Sequence, residues 1–492
     1  MTAWSDNAAA ASTRRSLAAS FAEKYALLLL NTGGTMVLAR LLTPAEVGLY
    51  AVGAVVAGLA QVLRDFGVGA WVVQEKQLTA DKLRAALGVS LLVGWSLAAI
   101  VYGAAWPVAA FYGEPQLQPV LQLLAINFVL LPFSALAMPC LRRALRFGAI
   151  LFINLSQTCV QLGCAIWLAW RGFGHLSLVW AAVAGTATVV LATLACRPRH
   201  LPWLPGWRGT ARVWRFGAVA TGGTVIDEAG VAAPDLIVGK LIGVAGVGLF
   251  GKAVGVVNVF NQLVTAAISP VIFPLFSAQA RHGADLRQAY LATVSYMAAL
   301  AWPFFGAVAL LAPAIVRGLY GPQWAAAAPL VRTLCLASAV YSLFSMARYL
   351  FVAMGEVGGQ ARLDATAVPV RIAALLLAAP FGLAWVAWAV VAGAVFRSWL
   401  TYRLLNRLVG VHWRQLGAAC RKSAAIAGAS LAGPGAVVAW ADGTALQLAA
   451  GGGSAVLGWL LAVLLVRHDL ADECRLAGRR ARSWLAPTSG SR

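Results

Sequence analysis

The chain has 492 residues, of which 61% are hydrophobic and only 11% charged, with a mean hydropathy of +0.78. A soluble domain carries roughly a quarter charged residues, so this composition excludes a soluble globular protein and a disordered one alike. The formal net charge of +21 follows the topology set out next, with a further attraction to anionic membrane lipids, and no nucleic-acid partner is expected.

Runs of about 20 apolar residues, enough to cross a hydrocarbon core of about 30 Å, recur along the whole length. Fourteen can be laid out, at residues 17–39, 46–73, 84–110, 117–140, 149–170, 176–196, 214–239, 246–275, 288–313, 325–347, 361–381, 383–402, 421–441 and 445–466. Backbone groups in lipid have to be satisfied within their own segment, so each run is expected to be a helix. The predicted fold class is all-α and integral to the membrane, with 14 transmembrane helices.

The charges orient these helices. With the N-terminus in the cytoplasm and strict alternation, the inner segments hold Arg14, Arg15, Lys76, Lys82, Arg84, Arg142, Arg143, Arg146, the five arginines of 197–215, Arg281, Arg287, Arg362, the four arginines and Lys422 of 403–422, and the six arginines of 467–492. Of 38 basic residues, 27 fall inside, four outside (Arg40, Arg171, Lys240 and Arg317) and seven within spans. One invented or overlooked helix would invert every later loop and spoil this split, so fourteen spans with both termini cytoplasmic is the expected topology.

Two stretches repeat. Arg40-Leu41-Leu42-Thr43-Pro44-Ala45-Glu46-Val47-Gly48-Leu49-Tyr50 overlies Lys240-Leu241-Ile242-Gly243-Val244-Ala245-Gly246-Val247-Gly248-Leu249-Phe250, with five identities in eleven positions at an offset of 200. Phe111-Tyr112-Gly113 and Leu319-Tyr320-Gly321 recur at nearly the same offset. This doubling predicts two pseudo-symmetric six-helix lobes, 1–196 and 214–402, joined by a cytoplasmic linker at 197–213 that carries Trp203 and Trp207. A second linker, 403–420, leads to two extra C-terminal helices in 421–466, and 467–492 is a basic cytoplasmic tail with helical spacing. Six helices per lobe is an even number, so the expected two-fold runs along the membrane normal and a transport cavity lies between the lobes.

Motifs of soluble chemistry fail on context. Gly246-x-Gly248-x-x-Gly251 matches a dinucleotide fingerprint, and with Lys252 it approaches a phosphate-binding loop. Position 253 is Ala, however, and the stretch opens a membrane helix, where glycines serve close packing. Thr13-Arg14-Arg15-Ser16-Leu17 resembles an export signal but has no cleavage site after it. The seven cysteines read as small membrane hydrophobes, and the five histidines are not at ligand spacing. No cofactor, no metal site and no catalytic constellation is expected, so the chain reads as a non-enzyme.

An ionised group at mid-bilayer costs about 2.5–3.5 kcal/mol on insertion scales, so the charges within spans call for a reason. The bases are Lys24, Arg64, Lys252, Arg332, Arg348, Arg371 and Arg397; the acids are Glu23, Asp65, Asp227, Glu228, Asp235 and Asp364. One reading is a cationic cavity for an anionic headgroup, with Lys24, Arg64, Lys252, Arg332 and Arg371 as its substrate-binding bases and the acids in ion coupling. The other is that these groups pair across helices and pin the packing, with Arg348 and Arg397 snorkelling to the cytoplasmic surface. Asp235 follows Pro234, so a broken helix bearing a carboxylate is expected there.

Arg40 to Tyr50, Arg64-Asp65-Phe66-Gly67-Val68-Gly69, Phe111-Tyr112-Gly113-Glu114-Pro115, Leu141 to Phe147, Asp235 to Lys240 and Tyr320-Gly321-Pro322-Gln323-Trp324 together resemble the bacterial polysaccharide repeat-unit flippases. These form the polysaccharide transporter branch of the multidrug/oligosaccharidyl-lipid/polysaccharide exporter superfamily. The resemblance implies an inner-membrane transporter that flips an undecaprenyl-pyrophosphate-linked oligosaccharide outward by alternating access. It also implies a basic cavity, a tail groove at helices 13 and 14, and a polysaccharide polymerase and export machinery as partners. Helix 7 departs from the pattern, with Asp227-Glu228-Ala229-Gly230 where relatives carry an Asn-Tyr-type stretch. Two alternatives are weighed. A multidrug exporter would favour an acidic or aromatic cavity, and a polymerase or membrane glycosyltransferase would carry a large outer loop.

Overall fold

The structure, a computed structural model, describes residues 26–470 apart from 66, 76, 145, 198–200, 208, 209, 284 and 469. It leaves undescribed the side chains of 212, 213, 215, 216, 218–227, 266, 267, 270 and 271. Glu23, Lys24, the side chain of Asp227 and the tail from 471 onward therefore lie outside the described residues.

All regular elements among the described residues are helical, in two compact units, Met1–Gly251 and Lys252–Arg492. The first contains α1 (Ala26–Leu41), α2 (Pro44–Asp65), α3 (Val68–Gln74), α4 (Ala80–Tyr112), α5 (Leu117–Leu130), α6 (Ala137–Arg143), α7 (Phe147–Trp170), α8 (His175–Ala195) and α9 (Thr210–Leu241). It also holds the start of α10 (Val244–Phe260). The second continues with α11 (Ala266–Arg281), α12 (Leu286–Leu310), α13 (Ala312–Tyr320), α14 (Ala328–Ser342) and α15 (Ala347–Ala353). After them come α16 (Val357–Ala378), α17 (Leu383–Val409), α18 (Trp413–Trp440), the single turn α19 (Thr444–Leu446) and α20 (Gly452–Leu465).

Local chemistry explains the boundaries. Thr43-Pro44-Ala45-Glu46 is a capping box. Glu46 Oε2 accepts from Thr43 N at 2.8 Å, and Thr43 Oγ1 accepts from Glu46 N at 3.3 Å. Its repeat uses Gly243 in the left-handed region instead (φ +105°). Thr79 caps α4 and Asp285 caps α12. The two Tyr-Gly repeats stop their helices alike, because Gly113 and Gly321 both take positive φ, which a side chain would disfavour.

Eleven helical stretches among the described residues are long and apolar enough to cross a membrane, or twelve if the bent pair Leu117–Phe133 and Ala137–Arg143 is one span. Large apolar side chains face outward along them: Trp106 is 69% exposed, Leu377 74% and Leu465 81%. Contiguous exposure of this kind is untenable in water and is what hydrocarbon requires.

In the first unit α2 packs on α5 and α9, α4 on α5 and α9, and α7 on α8. A core of Val68, Trp71, Val72, Leu83, Ala86, Val89, Leu136 and Cys140 joins α3, α4 and α6. The duplicated segments meet each other here, reciprocally. A Cβ on Gly48 would stand 2.6 Å from the Val244 carbonyl carbon, with that carbonyl's oxygen closer still. A Cβ on Gly248 would stand 3.0 Å from the Pro44 carbonyl carbon in the same way. Positions 44 and 48 thus contact 244 and 248 crosswise, as a local two-fold demands. Gly248, like Gly48, serves close backbone approach.

In the second unit α12 packs on α14 and α18, α18 on α20, and α17 on α14 and α16. Ala299, Ile426, Ala462 and Val463 form the α12–α18–α20 core. Behind α20, His468 is buried. Leu470 N donates to its Nδ1 at 3.2 Å, while its Nε2 lies 3.0 Å from Ser295 Oγ and 3.4 Å from Ser423 Oγ. The ring thus latches the chain after α20 onto α12 and α18.

Candidate functional site

Two expected spans are interrupted inside the first unit. The span at 46–73 breaks after Asp65, where Gly67 takes φ +59° between α2 and α3. The span at 117–140 breaks at a short 3-10 turn, Leu131–Phe133, and bends by 47° before α6. Pro132 lies in that turn, where its lack of an N–H and fixed φ suit the interruption. Both breaks open onto one cavity of about 730 Å³, whose polar lining includes Arg64, Asp65, Ser90, Ser134, Arg142 and Glu228. Irregular backbone is tolerated at membrane depth where it lines such a cavity.

Arg64 forms an ion pair through Nη2 with Asp65 Oδ1, and its side chain is only 14% exposed against 63% for Asp65. The Arg64 Nε is buried and has no hydrogen-bond partner among the described residues. An unmet buried donor costs about 1–3 kcal/mol, which an anionic oxygen entering the cavity would recover. Arg143 braces the wall, donating to Val72 O at 3.0 Å and to Glu75 O, while Lys82 pairs with Glu75 at 2.9 Å. Arg142, which the sequence offers as a cytoplasmic charge within the stretch Leu141 to Phe147, lines the cavity as well.

Asp235 is half-buried and forms no ion pair among the described residues. The broken helix expected at Pro234 is absent: α9 runs through it from Thr210 to Leu241. Irregular backbone sits at Gly67 and at 131–136 instead.

In the second unit Lys252 lies over the rings of Tyr320 and Trp324, at 5.1 and 5.4 Å. Both rings are buried, so the ammonium is held against aromatic faces by a cation–π attraction of about 0.5–2 kcal/mol. Arg332 is exposed and donates from Nε to Ala309 O at 3.3 Å. Arg371 is half-buried against Gly393, where a Cβ would stand 3.2 Å from its Cγ. Asp364 does not reach Arg371, seven residues and about 10 Å along the same helix. It pairs across to Arg397 at 2.7 Å and accepts from Gln360 at 2.7 Å. Arg397, expected at the cytoplasmic surface, therefore folds inward, with Tyr341 5.9 Å from its guanidinium.

Known proteins can now be compared. The chain is 21% identical over 279 residues to the teichuronic acid biosynthesis protein TuaB of Bacillus subtilis, covering 56% of this chain and 58% of the relative. It is 25% identical over 307 residues to the succinoglycan biosynthesis transport protein ExoT of Rhizobium meliloti, covering 62% of each. It is 22% identical over 310 residues to the lipopolysaccharide biosynthesis protein WzxC of Escherichia coli, covering 62% and 63%. The matches thus span about six tenths of these relatives. The fold is similar to that of the lipid II flippase MurJ in its inward closed conformation, with TM-score 0.74, 10% identity, and 93% and 99% of the two chains covered. It is also similar to an inward-facing multidrug resistance MATE family transporter, with TM-score 0.59, 14% identity, and 80% and 96% covered. Residues 37–329, more than half of the sequence, match the polysaccharide biosynthesis protein family, and the chain belongs to that family.

Proposed function

We propose that the chain flips a lipid-linked oligosaccharide, joined through undecaprenyl pyrophosphate, from the cytoplasmic to the periplasmic leaflet by alternating access. The observation that carries this reading is the Arg64 guanidinium, buried beside a cavity with an unmet Nε, in a chain of the polysaccharide biosynthesis family. A guanidinium in a low-dielectric wall attracts a phosphate more strongly than it would in water. In this reading Arg64 and Arg142 engage the pyrophosphate from the first unit. Lys24, Lys252, Arg332 and Arg371 contribute at other stages, while Asp65, Glu228, Asp235 and Asp364 balance or couple the charge. Glu23 and Asp227 belong to the same acidic set.

The topology proposed with it has fourteen spans: the twelve described above together with α1 and α9, with both termini cytoplasmic. Helices 1–6 and 7–12 act as the two lobes, and α18 and α20 guide the lipid tail. A polysaccharide polymerase and export machinery take the product. The names of TuaB, ExoT and WzxC support the polysaccharide substrate, and the MurJ-like fold supports lipid flipping. The likeness to a MATE transporter favours one rival, a drug exporter.

Deletion of the gene separates the two. Accumulation of a lipid-linked oligosaccharide in the cytoplasmic leaflet, with unchanged drug sensitivity, is the expected result. Drug hypersensitivity with normal surface polymer would overturn the proposal.

A further inference from the structure

The segment 201–207 between α8 and α9 is a built element with an outward apolar tip. Leu201 is 5% exposed and joins the core with Val68, Trp71 and Leu83. Gly206 N donates to Arg84 O at 2.9 Å. Two glycines permit this approach: a Cβ on Gly88 would stand 2.7 Å from Gly206 O, and a Cβ on Gly206 would stand 2.8 Å from Arg84 Cβ. Arg197 braces the other side, donating to Leu201 O at 3.1 Å and to Pro202 O, with its guanidinium 3.8 Å from the Trp203 ring centroid. From this clamped base Trp203, Leu204 and Trp207 project, at 72%, 73% and 63% exposure.

Its depth follows from α4. That helix has 33 residues, about 50 Å at about 1.5 Å per residue, which exceeds a hydrocarbon core of about 30 Å, and its charged first turns, with Asp81, Lys82 and Arg84, take up excess length at this end. Gly88, against which Trp207 packs, lies one turn beyond Arg84, the last charge before an apolar run that reaches Tyr112, and so near the hydrocarbon boundary. Arg84 and Arg197 stand against the segment at this end, and Lys82 lies in the first turn of α4. Tryptophan favours this level, with an apolar ring body and a polar N–H, and basic residues there favour anionic headgroups.

We propose that 201–207 is an interfacial anchor that seats Trp203, Leu204 and Trp207 among anionic phospholipids, with Arg84 and Arg197 facing their phosphates. The anchor pins the connection between α8 and α9 to one leaflet, which gives both helices a fixed base.

Photocrosslinking tests this in the full chain in native membranes. The probe p-benzoylphenylalanine replaces Leu204, an exposed position that tolerates an aromatic ring, and in a second variant Trp203. Position 457 on the lipid-facing side of α20 and position 114 in a loop serve as controls. The expected product at 204 and 203 is a phospholipid adduct, enriched in anionic species several-fold over their share of the membrane. Enrichment should disappear with Arg84→Gln plus Arg197→Gln. Adducts to another protein or a second copy, or no adduct where position 457 gives one, would overturn the anchor. Lipid adducts without anionic enrichment would overturn the role of the two arginines.

Discussion

Replacing Gly48 or Gly248 with alanine tests the reciprocal contact between the duplicated segments. A Cβ at 48 would lie 2.6 Å from the Val244 carbonyl carbon and 3.0 Å from Gly248 N; one at 248 would lie 3.0 Å from the Pro44 carbonyl carbon and 3.2 Å from Gly48 N. Carbon atoms pack at about 3.5–4.0 Å, so each alanine forces the backbones of α2 and α10 apart by about 1 Å. Backbone cannot rotate away as a side chain can, and overpacking of this kind costs about 1–3 kcal/mol. The two clashes share one displacement: once the first alanine has separated the helices, the second finds room. The double variant should therefore fall short of the sum of the singles by about 1 kcal/mol or more. Thermal midpoints of the purified protein at a fixed scan rate, with all four forms compared, give the cycle. An unchanged midpoint for Gly48→Ala, or strict additivity in the double variant, would refute the crosswise packing.

Further outcomes follow from individual side chains. Asp364→Asn and Arg397→Gln should each destabilise by about 1–3 kcal/mol, because the pair is mostly but not wholly buried, and the double variant should cost less than the sum of the two singles; denaturant midpoints measure this. His468→Ala removes a buried hydrogen-bonded ring and should cost about 1–3 kcal/mol, with limited proteolysis cutting the chain beyond α20 faster than in wild type.

The sequence exposed the helices readily, because twenty apolar residues in a row have few other fates. The runs 84–110 and 383–402 lie within α4 and α17, which continue beyond them over 80–83, 111–112 and 403–409. It was less informative inside the runs. Gly67 and Pro132 interrupt spans that hydropathy reads as continuous, whereas Pro234 leaves α9 unbroken, since a proline's effect depends on neighbouring helices. Side-chain partners were also hidden. Asp364 and Arg371 share a helix face, yet Asp364 meets Arg397, because α16 packs against α17 and the partner comes from across that contact. The doubling of 40–50 at 240–250 was plain, but that the two copies touch through Gly48 and Gly248 required coordinates.

In the proposed function, basic groups set into the membrane portion recognise the pyrophosphate of the carried lipid. Arg64→Ala combined with Lys252→Ala, expressed from the native locus, tests it by surface polysaccharide output alongside the level of membrane-inserted protein. The account predicts loss of surface polymer and build-up of the lipid-linked unit at unchanged protein level; polymer output equal to wild type would contradict it.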